Sequence, residues 1–183
     1  MVQRIPSMHG VTTERLLFRA VSMDDRHWWM EYINSADAIR FMSLVLGSED
    51  SCREFIQRAL DRQRTDGSGL NAIIEQASGK PVGMTGLLTQ VVDGVDELEV
   101  GYHLLPSAWG KGYATEAAIA CKEFARQHKV VSSVISLIDH QNFASQAVAK
   151  RNGMIYEKDT VHRGTPAMIW RVSLDQPLRA ASR

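Results

Sequence analysis

Residues 107–116 read SAWGKGYATE and follow the alternating apolar run ELEVGYHLLP at 97–106. Two glycines flanking a lysine, set between a strand-like run and a helix-forming run, form either a plain turn or a loop that admits a ligand. Glycine has no Cβ to hold a ligand away from the backbone, and the free N–H groups at a helix start carry partial positive charge toward an anion. Gly110, Gly112 and the small Ala114 give such a loop ahead of a helix expected to begin near Thr115. The same spacing also serves an ordinary turn in which Lys111 only solvates the loop. Neither GxxxxGK[ST] nor GxGxxG occurs, which disfavours nucleotide hydrolases and dinucleotide-binding folds.

Hydrophobic periodicity places the neighbouring elements. An extended ERLLFRAV at 14–21 leads to a capping-box start at Ser22 and Asp25, then to a helix carrying Trp28, Trp29, Tyr32 and Ile33. A short helical turn is expected around 36–42. A longer helix follows at 50–64, with Cys52, Phe55, Ile56, Ala59 and Leu60 on one face, ending before Asp66-Gly67. Strands are expected at 70–75, 81–90 and 97–105. Their short connections through Ser78-Gly79-Lys80 and Asp93-Gly94 imply an antiparallel meander.

Beyond the loop, 115–128 reads as a helix with Ala117, Ala120, Cys121 and Phe124 inward and Lys122, Glu123, Arg126 and Gln127 outward. A strand at 131–138, a helix at 142–151 ended by Gly153, and a hairpin of 154–161 with 167–174 complete the order. The polar DQPLRAASR at 175–183 is expected to fray. This order predicts a mixed α/β (α+β) chain without the strict alternation of a doubly wound sheet. At 183 residues, with no linker-like stretch, one domain spanning 1–183 is expected.

Composition excludes several function classes. Lys and Arg number 21 and so do Asp and Glu, so no net field draws nucleic acid or an anionic membrane. The opening MVQRIPSMHGVTTERL lacks the apolar core of a signal peptide, and no stretch approaches ~18 apolar residues, so a cytoplasmic location is expected. Cys52 and Cys121 sit among apolar neighbours as reduced structural thiols. The histidines at 9, 27, 103, 128, 140 and 162 form no metal-ligand spacing, and no metal is expected.

EVGYHLLPSAWGKGYATEA together with DHQNFASQAVAKRNGM resembles the Gcn5-related N-acetyltransferase superfamily, in its branch acetylating ribosomal-protein N-termini; TERLLFRAV suits that branch as well. The superfamily loop, Gln or Arg, any two, Gly, any, Gly or Ala, maps onto Trp109 through Ala114, with Trp109 in place of Gln or Arg. The second motif maps onto Asn142, Ser145, Val148, Arg151, Gly153 and Met154.

The resemblance implies a bent, mostly antiparallel sheet flanked by helices, with acetyl-CoA held where the fourth and fifth strands splay apart. It assigns the N–H groups of Gly110, Lys111, Gly112, Tyr113, Ala114 and Thr115 to the CoA diphosphate. Backbone groups of His103, Leu104 and Leu105, with the Asn142 side chain, are assigned to pantetheine. The implied reaction is acetyl transfer to a primary amine, for which a protein N-terminus, a small amine, an amino acid and an antibiotic are the candidate acceptors. A non-catalytic acyl-CoA-binding module is the alternative, and a homodimer is compatible with either.

Amide formation from a thioester needs a neutral amine, charge stabilisation on the carbonyl oxygen and a proton for the departing thiolate. Alternation along the 97–105 strand puts Glu97, Glu99 and His103 on one face, opposite Leu98, Val100, Tyr102 and Leu104. Superfamily members often carry a carboxylate on this strand, which makes Glu99 the first candidate base, acting through water, and His103 the second. Both glutamates equally suit a solvated strand face. Asn142 is positioned as a helix N-cap, a role compatible with touching pantetheine. Many superfamily members carry a tyrosine acid seven residues after this asparagine, where this chain has Ala149; Ser145 is then the hydroxyl left as proton donor, or a capping serine. Lys150 and Arg151 meet the CoA 3'-phosphate or are ordinary helix-end charges. Trp28 and Trp29 belong to the core or to an acceptor channel.

Overall fold

The computed structural model describes residues 4–175; the expected fraying beyond Asp175 lies outside them. Seven strands form one sheet in the order β1-β2-β3-β4-β5-β7-β6. They are β1 (Leu16–Ala20), β2 (Gly69–Glu75), β3 (Pro81–Val92), β4 (Val95–Leu104), β5 (Ser133–Ile138), β6 (Ile155–His162) and β7 (Thr165–Ser173). Every neighbouring pair is antiparallel except β4 with β5. The mixed α/β expectation holds.

The meander runs longer than its hydrophobic pattern suggests. β3 and β4 continue to a two-residue turn, Asp93-Gly94, in which both residues have positive φ (51° and 79°). Such a turn matches the right-handed strand twist, so pairing extends to Val92 and Val95.

Helices α1 (Arg26–Ile33), α2 (Ala36–Ile39) and α3 (Glu49–Thr65) precede the meander; α4 (Tyr113–Gln127) follows it, and α5 (Phe143–Arg151) follows β5. The expected start at Ser22 and Asp25 is present, the Ser22 N–H donating to Asp25 Oδ2 at 2.8 Å. Trp29 stacks on Tyr32 (centroids 4.4 Å) and Phe55 (5.2 Å) and is fully buried, which makes it core; Trp28 is half-buried, its indole N–H bonded to Asp25. Cys52 and Cys121 are both buried and unpaired.

The α4 stripe differs from its expected reading. Ala118 and Ala125 are buried, Ala120 is only half-buried, and Lys122, expected outward, is half-buried with its Nζ donating to the Asn152 carbonyl at 2.9 Å. The helix begins two residues earlier than expected, because Gly112 takes the N-cap with φ 83°. The start of the helix and Lys122 within it therefore serve contacts that periodicity alone does not show.

Candidate active site

The parallel junction in the sheet is very short. Only Glu99 and Ile135 pair across β4 and β5, after which the strands diverge. The Ser136 hydroxyl adds one bond to the Val100 carbonyl, 2.9 Å, at the same level. A cleft therefore opens beside Gly101–Leu104, within an otherwise continuous sheet.

Backbone alternation fixes which groups face that cleft. The Leu105 N–H donates to Val82 on β3 (2.9 Å), so Leu105 and His103 direct their backbone groups toward β3, and Tyr102 and Leu104 direct theirs toward the cleft. The Leu104 carbonyl already accepts the Trp109 indole N–H at 2.9 Å. Of the three residues expected to meet pantetheine, only Leu104 presents a backbone group to the cleft, its N–H. The backbone groups of His103 and Leu105 turn to β3, and those of Tyr102 line the cleft beside Leu104.

The glycine loop then closes the cleft at one end. Gly110 and Gly112 both adopt left-handed backbone (φ 74° and 83°), and a Cβ at Gly110 would meet nothing within 4 Å. Among the described residues, none of the N–H groups from Gly110 to Thr115 donates to a protein acceptor; the Glu116 N–H is the first to do so, to the Gly112 carbonyl. A run of unspent donors at a helix start is the arrangement that binds phosphate oxygens. Lys111 is exposed, as expected.

An ion-pair brace that sequence reading missed holds this loop. The Arg15 guanidinium donates to Glu116 Oε2 (2.7 Å) and to the Lys111 carbonyl (2.9 Å), and lies 4.7 Å from the centre of the Tyr113 ring. Thr13 and the Arg15 N–H both donate to Glu116 Oε1, at 2.5 and 2.8 Å. The Tyr113 hydroxyl is bonded to Glu75. These bonds hold the Glu116 carboxyl below its ordinary range against the opposing effect of burial. Roughly a hundred residues separate the partners, and no local pattern in the chain links them.

The two glutamates on β4 have different environments. Glu97 is held in a two-pronged ion pair by Arg171 of β7 (2.6 and 3.0 Å). Among the described residues Glu99 has no ion pair; Gln90 Nε2 donates to its Oε2 at 2.7 Å. Burial raises the Glu99 pKa, opposed by the Gln90 bond, by the Leu137 backbone and by the charges of Arg62 and Arg163. A carboxylate with raised pKa, without a fixed counter-ion and beside a cleft, has the properties of a proton acceptor.

His103 lies edge-on against Tyr32 (5.8 Å) and Phe55 (5.5 Å), with Nδ1 3.3 Å from the Tyr32 hydroxyl. Burial lowers its pKa to about 4. The ring is neutral at physiological pH and a weaker base than the neighbouring carboxylate.

Asn142 caps α5 by accepting the Ser145 N–H at 3.1 Å. Across the cleft, the Tyr102 hydroxyl donates to the Ser145 carbonyl at 2.9 Å, and burial raises the phenol pKa well above its usual value. Alternation assigned Tyr102 to the apolar face, and its hydroxyl reaches a helix from there. Ala149 is buried. Of the two helix-end cations, Arg151 Nη1 reaches Thr115 Oγ1 (3.5 Å) beside the loop, whereas Lys150 lies over the Trp170 ring (5.6 Å).

The profile of the acetyltransferase (GNAT) domain matches residues 15–155, a span that includes the loop, the cleft and the α5 cap. The chain belongs to the GNAT acetyltransferase family. A relative in Bacillus subtilis, the uncharacterized protein YkkB, is 28% identical over 149 residues, covering 81% of this chain and 86% of the relative. Two solved structures share the fold. RimL, a ribosomal alpha-N-protein acetyltransferase in complex with coenzyme A, aligns with TM-score 0.72 at 17% identity over 91% of this chain and 98% of its own. AAC(6')-Ib, in complex with ribostamycin and coenzyme A, aligns with TM-score 0.75 at 14% identity over 92% and 100%. No helix among the described residues is long and apolar enough to cross a membrane, and the described residues contain no group of three or more metal-ligating side chains.

Proposed function

We propose that this chain transfers the acetyl group of acetyl-CoA to a primary amine. The observation that carries the reading is the run of unspent N–H groups at Gly110–Thr115, at one end of a cleft that has Glu99 at the other. Coenzyme A in RimL and in AAC(6')-Ib supports it. The residues fit the cofactor: the loop offers donors to a diphosphate, Arg151 adds a positive charge beside it, and the Leu104 N–H with the Tyr102 carbonyl offers a strand edge to an amide-bearing arm.

The thioester supplies an activated acetyl group. Glu99 takes the proton from the attacking amine, directly or through water, because its raised pKa makes it the stronger of the two bases on this face. Ser145 supplies the proton to the departing thiolate and regains one from solvent, while the protonated Tyr102 phenol holds the residue in place through its backbone carbonyl. The resemblance to the ribosomal branch supports a protein N-terminus as one candidate acceptor. The AAC(6')-Ib complex, which holds ribostamycin, supports a small molecule as the other candidate. Incubation with acetyl-CoA and a panel of peptides, amino acids and polyamines, with mass-spectrometric detection of acetylated products and assay of free thiol, tests the reading. Acetyl-CoA binding without any acetylated product would assign the chain to non-catalytic binding.

A further inference from the structure

We infer that the acceptor amine carries a carboxylate, as an α-amino acid does, and that Arg62 and Arg163 hold that carboxylate in the cavity beside Glu99. This rests on the acetyl-transfer reading of the same cleft. The cavity, about 580 Å³, lies between the end of α3, the far end of β3 and the β6–β7 turn. Arg62, Asp66, Gln90, His162 and Arg163 line it, together with Asp96, which is itself engaged.

Arg163 is fixed by its turn. Arg163 and Gly164 both have positive φ (51° and 78°), so the hairpin closes in two residues and carries the guanidinium over the sheet. Its Nη2 donates to Gln90 Oε1 at 3.1 Å, and Gln90 Nε2 donates onward to Glu99 Oε2 at 2.7 Å. One amide thus links the hairpin cation to the carboxylate proposed as base, and both of its ends are assigned by their partners.

The two guanidiniums lie close enough to oppose one another. Arg62 is half-buried, its Nη1 tied to the Thr89 carbonyl (2.7 Å), and its pKa is lowered first by burial and then by the charge of Arg163. Among the described residues neither makes a salt bridge, and Asp66 is already satisfied by the Thr89 hydroxyl (2.6 Å) and the Ser68 N–H (2.8 Å). His162 is held neutral by burial and by the two arginine charges, and its buried Nε2 has no partner among the described residues. Two like charges and an unpartnered ring nitrogen around one cavity leave an anion-shaped deficit. Asp66, tied to its own donors, and Asp96 limit the positive charge that faces the cavity, so a monoanion fits better than a phosphate dianion. An amine close to that carboxylate is then on the Glu99 side of Gln90.

The test compares each L-amino acid with its own carboxamide, which keeps the amine and side chain and removes the negative charge. We expect kcat/KM for the preferred acid to exceed that of its amide at least ten-fold. Arg163→Asn, whose residue accepts left-handed backbone, should bring that ratio close to one, and Arg163→Lys should fall between. Acids and amides acetylated alike, or peptides acetylated and free amino acids not, would overturn the carboxylate site and leave acetyl transfer standing. Calorimetry distinguishes the two readings further. Failure of acetyl-CoA to bind would remove the transfer reading, and binding of the acids no tighter than the amides by the protein alone would remove the carboxylate site.

Discussion

Gln90 donates to Glu99 across the β3–β4 ladder at 2.7 Å, and this bond favours the ionised carboxylate where burial disfavours it. Replacing Gln90 with Leu removes the favouring bond, so the Glu99 pKa rises further. A base must be deprotonated to work, and the acid limb of the kcat/KM profile should therefore move to higher pH in Gln90→Leu. Glu99→Gln should lower kcat by about 10² to 10⁴ with acetyl-CoA affinity nearly intact. An unmoved acid limb would assign the proton to bulk water.

Stability should report the same carboxyl. A folded-state pKa above the unfolded one gives stability that is complete below the ordinary carboxylate range and is lost as pH rises through the folded value. Glu99→Gln is neutral throughout, so its midpoint of thermal unfolding should gain on the parent as pH rises. His103 has the opposite sign. With its pKa depressed to about 4, stability present above pH ~6.5 is lost as pH falls toward 4, by roughly 3 kcal/mol at most. Thermal melts of the parent and His103→Phe at pH 7 and pH 4.5 check this; equal pH slopes would show the ring to be freely solvated.

At the glycine loop, Gly112→Val should weaken CoA binding at least ten-fold. The cause is backbone conformation rather than collision, since a Cβ at Gly112 meets only Arg15 Nη2 at 3.4 Å while φ stands at 83°. Glu116→Ala leaves the glycines untouched and releases the Arg15 brace, so KM for acetyl-CoA should rise several-fold with kcat little changed. Calorimetry and initial-rate kinetics separate the two variants.

Across the cleft, Asn142→Ala should cost about 1 kcal/mol of stability through the lost cap. Ser145→Ala and Tyr102→Phe should each lower kcat and leave the acetyl-CoA dissociation constant near that of the parent. If the phenol acts by holding Ser145, the double variant will be no slower than the worse single one. Fully additive losses in single-turnover experiments would separate their roles.

Elements with strong periodicity were legible from the chain itself. Trp29, Phe55 and Ile56 announce buried helix faces, and Asp93-Gly94 announces the turn between β3 and β4. Choosing between Glu97 and Glu99 was beyond periodicity, because both lie on one face; what separates them is Arg171, two strands along the sheet order, which takes Glu97. Arg163 falls in the turn of the expected 154–174 hairpin, and its role depends on that hairpin folding back toward α3. Tyr102 followed the apolar alternation correctly, yet its hydroxyl reaches a helix whose position depends on the strand divergence.

That divergence gives the sheet a seam. A single rung, Glu99 with Ile135, joins strands β1–β4 to β5, β7 and β6, leaving the backbone amides on either side of the opening without ladder partners. Exchange with deuterium should accordingly be fastest, within the sheet, for the amides lining the seam. A molecule that lies between the strands and bonds to both would act as the missing rungs, joining two half-sheets into one cooperative unit. At a hundred-fold excess over its dissociation constant it would add about 2.7 kcal/mol to global stability, and the slowed exchange would extend into β5, well past the residues it touches.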